Sequence, residues 1–178
     1  MDYMFRDLKA EEIDVRVSQI TKNYIDLLLY KDARVDQNIL DETVGTYGWQ
    51  REHKELKGNI YCGISIYDDE RMQWVMKWDC GKESFSEAEK GEASDSFKRA
   101  GFNWGIGREL YTAPQIRIWI KDKEGNPNFE IYEKDNGKIT TYTKFKVEKI
   151  QIKDKEITGL AIVNDKGKRV FGYYKKEE

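Results

Sequence analysis

The stretch GEASDSFKRAGFNWGIGREL, Gly91 to Leu110, decides the reading of this chain. Ala93, Phe97, Ala100 and Trp104 fall at i, i+4, i+7 and i+11, the spacing of a buried helical stripe, and predict one long helix. At about 100° per residue, Lys98 projects almost opposite that stripe. Its neighbours on that face, Gly91, Ser94 and Gly105, are small. A bulky anion such as a phosphate backbone can approach a cation set among small residues. The plainer alternative is a solvated lysine on an amphipathic helix. Asp95, four residues before Arg99, offers that arginine a helical ion pair.

Outward from the helix, the preceding segments read as strands. NIYCGISIYDD and MQWVMKWDC are rich in β-branched and aromatic residues, and Asp68-Asp69-Glu70-Arg71 forms a turn between them. WQREHKEL alternates weakly and completes a three-stranded meander. Ser84 or Ser86 is placed to cap the long helix, with Glu87 and Glu89 in its first turn, where the helix dipole favours acids. Asp36 is placed to cap an earlier helix, QNILDETVG, that stops at Gly45. YIDLLLY, Tyr24 to Tyr30, reads as a strand. Leu8, Ile13, Val17 and Ile20 recur at a helical period and predict a first helix over Phe5–Ile20. After Pro114, QIRIWI alternates strictly. KFKVEKIQI, EITGLAIVN and RVFGYYKK read as a further β-meander, with turns at Lys153-Asp154 and Asn164-Asp165-Lys166-Gly167. The expected class is α+β: an antiparallel β-meander against a long helix, with a C-terminal β-meander added.

Composition narrows the function. With 178 residues, 36% charged and 13% aromatic, and no apolar run near 18 residues, the chain reads as folded and not membrane-spanning. Its start is acidic and lacks the order of a signal peptide, so a cytoplasmic location is expected. Net charge is −2, so any polyanion track must be local. Lys146–Glu178 carries nine basic and six acidic residues, which leaves −5 on the rest. Cys62, Cys80 and the single His53 lack the ligand count and spacing of a zinc site, and no metal or cofactor is expected. The phosphate-loop pattern is absent: Gly81-Lys82 is followed by Glu83, and the upstream glycine position is Met76. Gly105-Ile106-Gly107 follows a helix, the wrong context for a dinucleotide loop. Two acidic groups keep a two-metal nuclease open as an alternative: Asp68-Asp69-Glu70, against its reading as a solvated turn, and Asp79 with Glu83 and Glu87. Arg34, in the polar connection KDARVD ahead of a helix N-terminus, is placed to meet an anion. Lys54 and Lys57, on the first meander strand, offer an outer basic patch or simply an exposed hairpin.

The order of these pieces resembles the Rad-fifty-two family of single-strand annealing proteins, and within it the phage and prophage branch. The resemblance rests on a short helix running into Tyr47-Gly48-Trp49, three strands, and then Ala93-x-x-x-x-Lys98-Arg99-Ala100. It spans Leu27 to Leu110. It implies ATP-independent binding and annealing of single-stranded DNA in homologous recombination and repair, by a protein that is not an enzyme. It further implies a ring or helical homo-oligomer, acting with an exonuclease and a single-strand-binding protein in a bacterial host. On this resemblance Lys98 and Arg99 line a DNA groove, and Arg34 joins them within a residue of register. The basic position one turn beyond the Lys-Arg pair is Phe102 here, a stacking surface in place of a charge. Tyr47 and Trp49 read as core and interface aromatics before base stackers. The implied organisation is an annealing core over 1–112 and a β-rich extension over 113–178, packed as one domain. A non-annealing DNA-binding assembly module is the other alternative that the same fold allows.

Overall fold

The computed structural model describes residues 4–81 and 88–176, apart from the side chains of 88–90. The fold is α+β, with antiparallel sheets and, among the described residues, two α-helices. Strands β1 (Asp14–Ile20) and β2 (Tyr24–Tyr30) precede helix α1 (Ala33–Val44). Strands β3 (Trp49–Leu56), β4 (Asn59–Asp68) and β5 (Gln73–Cys80) follow, then helix α2 (Ala88–Trp104). The remaining strands are β6 (Ile116–Trp119), β7 (Tyr132–Glu133), β8 (Ile139–Thr140), β9 (Phe145–Lys153), β10 (Glu156–Asn164) and β11 (Arg169–Tyr174). The chain divides into two compact units, each discontinuous in sequence.

One unit comprises the chain up to Asp7 and Asp32–Arg108. Its sheet runs β3-β4-β5, with an unbroken register from Trp49↔Ile66 to Leu56↔Asn59 and from Tyr61↔Cys80 to Asp68↔Gln73. Alternation puts Cys62, Ile64 and Ile66 on one face, all buried. Side chains of α2 reach that face. Trp104 Nε1 donates to Ile64 O at 2.9 Å, and Asn103 Nδ2 to Trp78 O at 2.9 Å. Phe97 is buried beside Trp49, whose indole N–H donates to Asp41 Oδ1 of α1 at 2.7 Å. The expected stripe is therefore buried at Phe97 and Ala100, while Ala93 and Trp104 are half-buried.

Three expectations for this unit need correcting. The long helix ends at Trp104, not Leu110. Gly105 takes φ +97°, which a side chain disfavours, and Arg108–Thr112 forms a separate 3-10 turn. Helix α1 is capped by Asp32, whose carboxylate accepts Arg34 N at 2.8 Å, and not by Asp36. Asp36 lies one turn inside and is buried, and a Cβ on Gly101 of α2 would stand 2.5 Å from its Oδ1. Tyr47, expected in the core or at an interface, is 95% exposed in the single chain, which removes the core reading. The expected capping serines and the side chains of Glu87 and Glu89 lie outside the described residues.

The other unit comprises Leu8–Lys31 and Glu109–Glu178. Its six strands run β11-β10-β9-β1-β2-β6, each antiparallel to its neighbour. Ile25, Leu27 and Leu29 alternate inward from β2, alongside Ile116 and Ile118 of β6. Val147, Ile157, Leu160 and Ile162 fill the core at the other end of the sheet. The helix expected over Phe5–Ile20 is not formed. A 3-10 turn at Ala10–Glu12 leads into β1, which hairpins onto β2. Val15 and Val17 favour the strand, and Thr21 Oγ1 fixes the turn by accepting Tyr24 N at 3.0 Å. Leu8 and Ile13 are buried, but from non-helical backbone, so their spacing mimicked a helical period.

The loop after β6 is tied to the turn after β10. Lys168 Nζ donates to Asp122 Oδ2 at 2.8 Å, and Asn126 N to Asp122 Oδ1 at 2.8 Å. Lys168 foremost, with the turn amides, holds the Asp122 carboxyl down at about 2. Such a group stabilises the fold above about pH 4, where the unfolded carboxylate is ionised, and that contribution fades as pH falls toward 2. Asp122→Asn is therefore expected to flatten the acid limb of a urea-midpoint curve measured from pH 5 to pH 2. Parallel curves for parent and variant would remove Asp122 from the acid response.

Candidate nucleic-acid interface

The cationic residues singled out in the sequence fall into distinct places. Arg34 sits in the first turn of α1, with its side chain 82% exposed. Its Nε donates to Asp32 Oδ1 at 2.9 Å. The Asp32 carboxyl is held below the usual carboxylate range, chiefly by the bonds from Arg34 and in smaller part by the charge of Lys98 on α2. The Asp32 carboxylate is thus bonded to Arg34 and also feels the charge of Lys98 of α2. Asp36, one turn beyond Asp32, closely approaches Gly101 of α2, which is one turn beyond Lys98.

Arg99 is used differently. Its Nε donates to Asp79 Oδ1 on β5 at 3.2 Å, and Asn103 Nδ2 reaches Asp79 Oδ2 at 3.3 Å. These bonds clamp α2 to β5, and Arg99 is half-buried. Phe102 is half-buried on α2, and its carbonyl accepts Arg108 Nε at 2.7 Å. Lys54 and Lys57 stand apart from these. His53 Nε2 lies 3.3 Å from Ala93 O of α2, so Lys54, the next residue, points to the opposite sheet face. Lys54 Nζ lies 4.9 Å from the Trp78 ring centroid and 3.2 Å from Glu52 Oε1. Lys57 is exposed in the two-residue turn between β3 and β4.

The acidic groups have structural partners. Asp68 Oδ1 accepts Glu70 N at 3.0 Å and Arg71 N at 3.1 Å, and Asp68 Oδ2 accepts Arg71 Nη1 at 2.6 Å. Asp79 is engaged as above, while Glu83 and Glu87 lie outside the described residues. Among the described residues, no three acidic, histidine or cysteine side chains gather as a metal site would require. Burial pushes the Cys62 thiol up to about 11 and leaves it a core residue. Sequence reasoning missed Asp32 as the partner of Arg34 and the cap of α1. The signal was available in KDARVD, since Asp32 precedes the first helical residue as an N-cap should. No helix among the described residues is long and apolar enough to cross a membrane.

Arg34 is exposed and bonded to Asp32, and the charge of Lys98 on α2 acts on the same carboxylate. The family model described as Rad52/22 family double-strand break repair protein matches residues 2–129, and the chain belongs to that family. Membership places it among proteins of DNA recombination and repair, whose general activity is single-strand annealing. Proteins of the family act on DNA and typically oligomerise. No curated protein and no solved structure matches the chain. Residues 130–178 lie outside the family match.

Proposed function

We propose that this chain is a single-strand annealing protein of the phage or prophage branch, working without ATP as a ring or helical multimer in a bacterial host cell. The observation that carries the reading is the exposed Arg34 on Asp32, a carboxylate that also feels the charge of Lys98. Contacts to phosphates are blind to sequence, as annealing requires, and many subunits contributing a few contacts each give avidity. Arg34 and Lys98 are the principal strand contacts. Arg99 positions α2, and Phe102, Lys54 and Lys57 are secondary contacts. A phage exonuclease and a single-strand-binding protein are the expected partners.

Two features support the multimer. β3 and β5 are the edges of a three-stranded sheet among the described residues. On the sheet face that carries Lys54, Trp74 and Met76 remain 44% and 39% exposed. A solution mass well above the 21.0 kDa of one chain is expected at micromolar concentration. The activity test mixes two complementary labelled strands with the protein, Mg²⁺ and no nucleotide. Pairing faster than the spontaneous rate, with both strands intact, is expected. Strand cleavage would favour the nuclease reading. Binding without accelerated pairing would favour the assembly module.

A further inference from the structure

Lys77 of β5 and Arg108, just past α2, converge on one atom. Lys77 Nζ donates to Asn103 O at 3.0 Å, and Arg108 Nη2 donates to the same oxygen at 3.1 Å. Arg108 Nε also donates to Phe102 O at 2.7 Å, and Lys77 Nζ lies 4.1 Å from the Trp104 ring centroid. Both side chains belong to exposed residues, and among the described residues neither has a carboxylate within ion-pair distance. The Lys77 pKa is lowered, first by burial of its ammonium and then by the charge of Arg108. The helix C-terminus supplies about half a negative charge against two full positive ones. The surplus is positive, rigidly placed and open to solvent.

We infer that Lys77 and Arg108 form a phosphate-binding site that takes a phosphodiester of a nucleic-acid strand between the ammonium and the guanidinium. Arg108 supplies the planar fork that a phosphate can meet with two bonds, and Lys77 supplies the point charge. The carbonyls of Phe102 and Asn103 fix both cations in advance, which lowers the ordering cost of binding. The site is separate from Arg34 and Lys98, because Asn103 lies about 140° round α2 from Lys98. Arg108, held on the Phe102 carbonyl, carries a positive charge of this second site. The choice of a strand over a small phosphate rests on the proposed DNA binding.

The test measures anisotropy of a labelled oligothymidylate over a series of salt concentrations. It compares the parent with Lys77→Gln/Arg108→Gln, with Lys77→Arg/Arg108→Lys and with Arg34→Gln/Lys98→Gln. The neutral pair is expected to lose affinity about tenfold and to lower the salt slope by about 0.7 for each lost contact. The charge-retaining swap is expected to keep the parent's salt slope and recover most of the affinity, short of the parent because a lysine at 108 replaces the fork with a point charge. Parent-like affinity and slope in the neutral pair would overturn the inference. An equal loss in the swap would also do so, since it would mark a structural role. If the parent binds and only Arg34→Gln/Lys98→Gln responds, this site falls and the proposed function stands. A parent that binds no strand removes both. Calorimetry with pyrophosphate separates the two phosphate sources: heat lost in the neutral pair without any change in strand binding assigns the site to a small phosphate compound and overturns the strand assignment.

Discussion

Gly81→Ala is expected to cost on the order of 3 kcal/mol and to lower Tm by roughly 10 °C. A Cβ at this position would stand 2.2 Å from Glu92 O and 2.9 Å from Glu92 Cγ. The nearest atom is backbone of α2, which cannot swing aside as a side-chain tip can. The neighbourhood is also fully committed. Gly81 N donates to Ile60 O at 2.9 Å, and Glu92 Oε1 accepts Ile60 N at 2.7 Å. Both backbone groups of Ile60 at the start of β4 are thus satisfied from this one junction, and Glu92 is buried in making it. Displacing α2 to admit a methyl group strains both bonds together. Gly172→Ala in β11 is the control, because a Cβ there meets nothing within 4 Å and its φ is not in the left-handed region. Ordering a glycine in a strand is entropically costly, so this control is expected to be neutral or slightly stabilising. Thermal melts of both variants decide the matter. A Gly81→Ala protein that melts with the parent would mean that the strand and helix do not approach as described.

The parts of this fold that were legible in sequence are those where one residue pattern has one meaning. In β4, Cys62, Ile64 and Ile66 alternate with polar or small neighbours in a run bounded by turn residues, and the strand is where that pattern puts it. The C-terminal strands β9, β10 and β11 are likewise neighbours in the order expected of a meander. The first 20 residues failed because apolar positions in β1 satisfy two periods at once. Val17 and Ile20 fit a helical stripe with Leu8 and Ile13, but Val15 and Val17 also alternate, and pairing with β2 and β9 settles the choice. The hairpin with β2 is local, but the Asp14↔Lys146 pair with β9 joins residues about 130 apart, beyond the reach of local pattern. At the candidate site, Lys98 was legible as a cation on a helix flank. The effect of its charge on Asp32 was not, because it depends on how α1 and α2 approach, as they do closely at Asp36 and Gly101. Arg99 was placed beside Lys98 by sequence adjacency, yet adjacent helical residues point about 100° apart, and Arg99 reaches β5 instead.

That divergence gives the second large effect. Arg34→Gln and Lys98→Gln should each weaken single-strand binding about tenfold, since a charge-assisted hydrogen bond contributes roughly 1.5–3 kcal/mol and 1.4 kcal/mol is tenfold. Together they should approach a hundredfold loss and lower the salt slope by about 1.4. The loss should be equal on two oligonucleotides of unrelated sequence, because phosphates carry no sequence information. Arg34→Lys should recover only part of it, since a lysine cannot make the bidentate contact of a guanidinium. Arg99→Gln should instead lower Tm slightly and leave binding within about twofold, because its charge is engaged with Asp79. Asp32→Asn provides a change of opposite sign. Asparagine retains the cap on α1, so the helix survives, while the carboxylate that competes with phosphate for Arg34 and Lys98 is gone. Affinity should therefore rise a few-fold at low salt, and the gain should shrink as salt screens the charge. Anisotropy on all six variants, the double included, at two salt concentrations separates the outcomes. If Asp32→Asn binds more weakly than the parent, the carboxylate orders the site more than it opposes the strand, and the strand contacts Arg34 only in its Asp32-bound geometry.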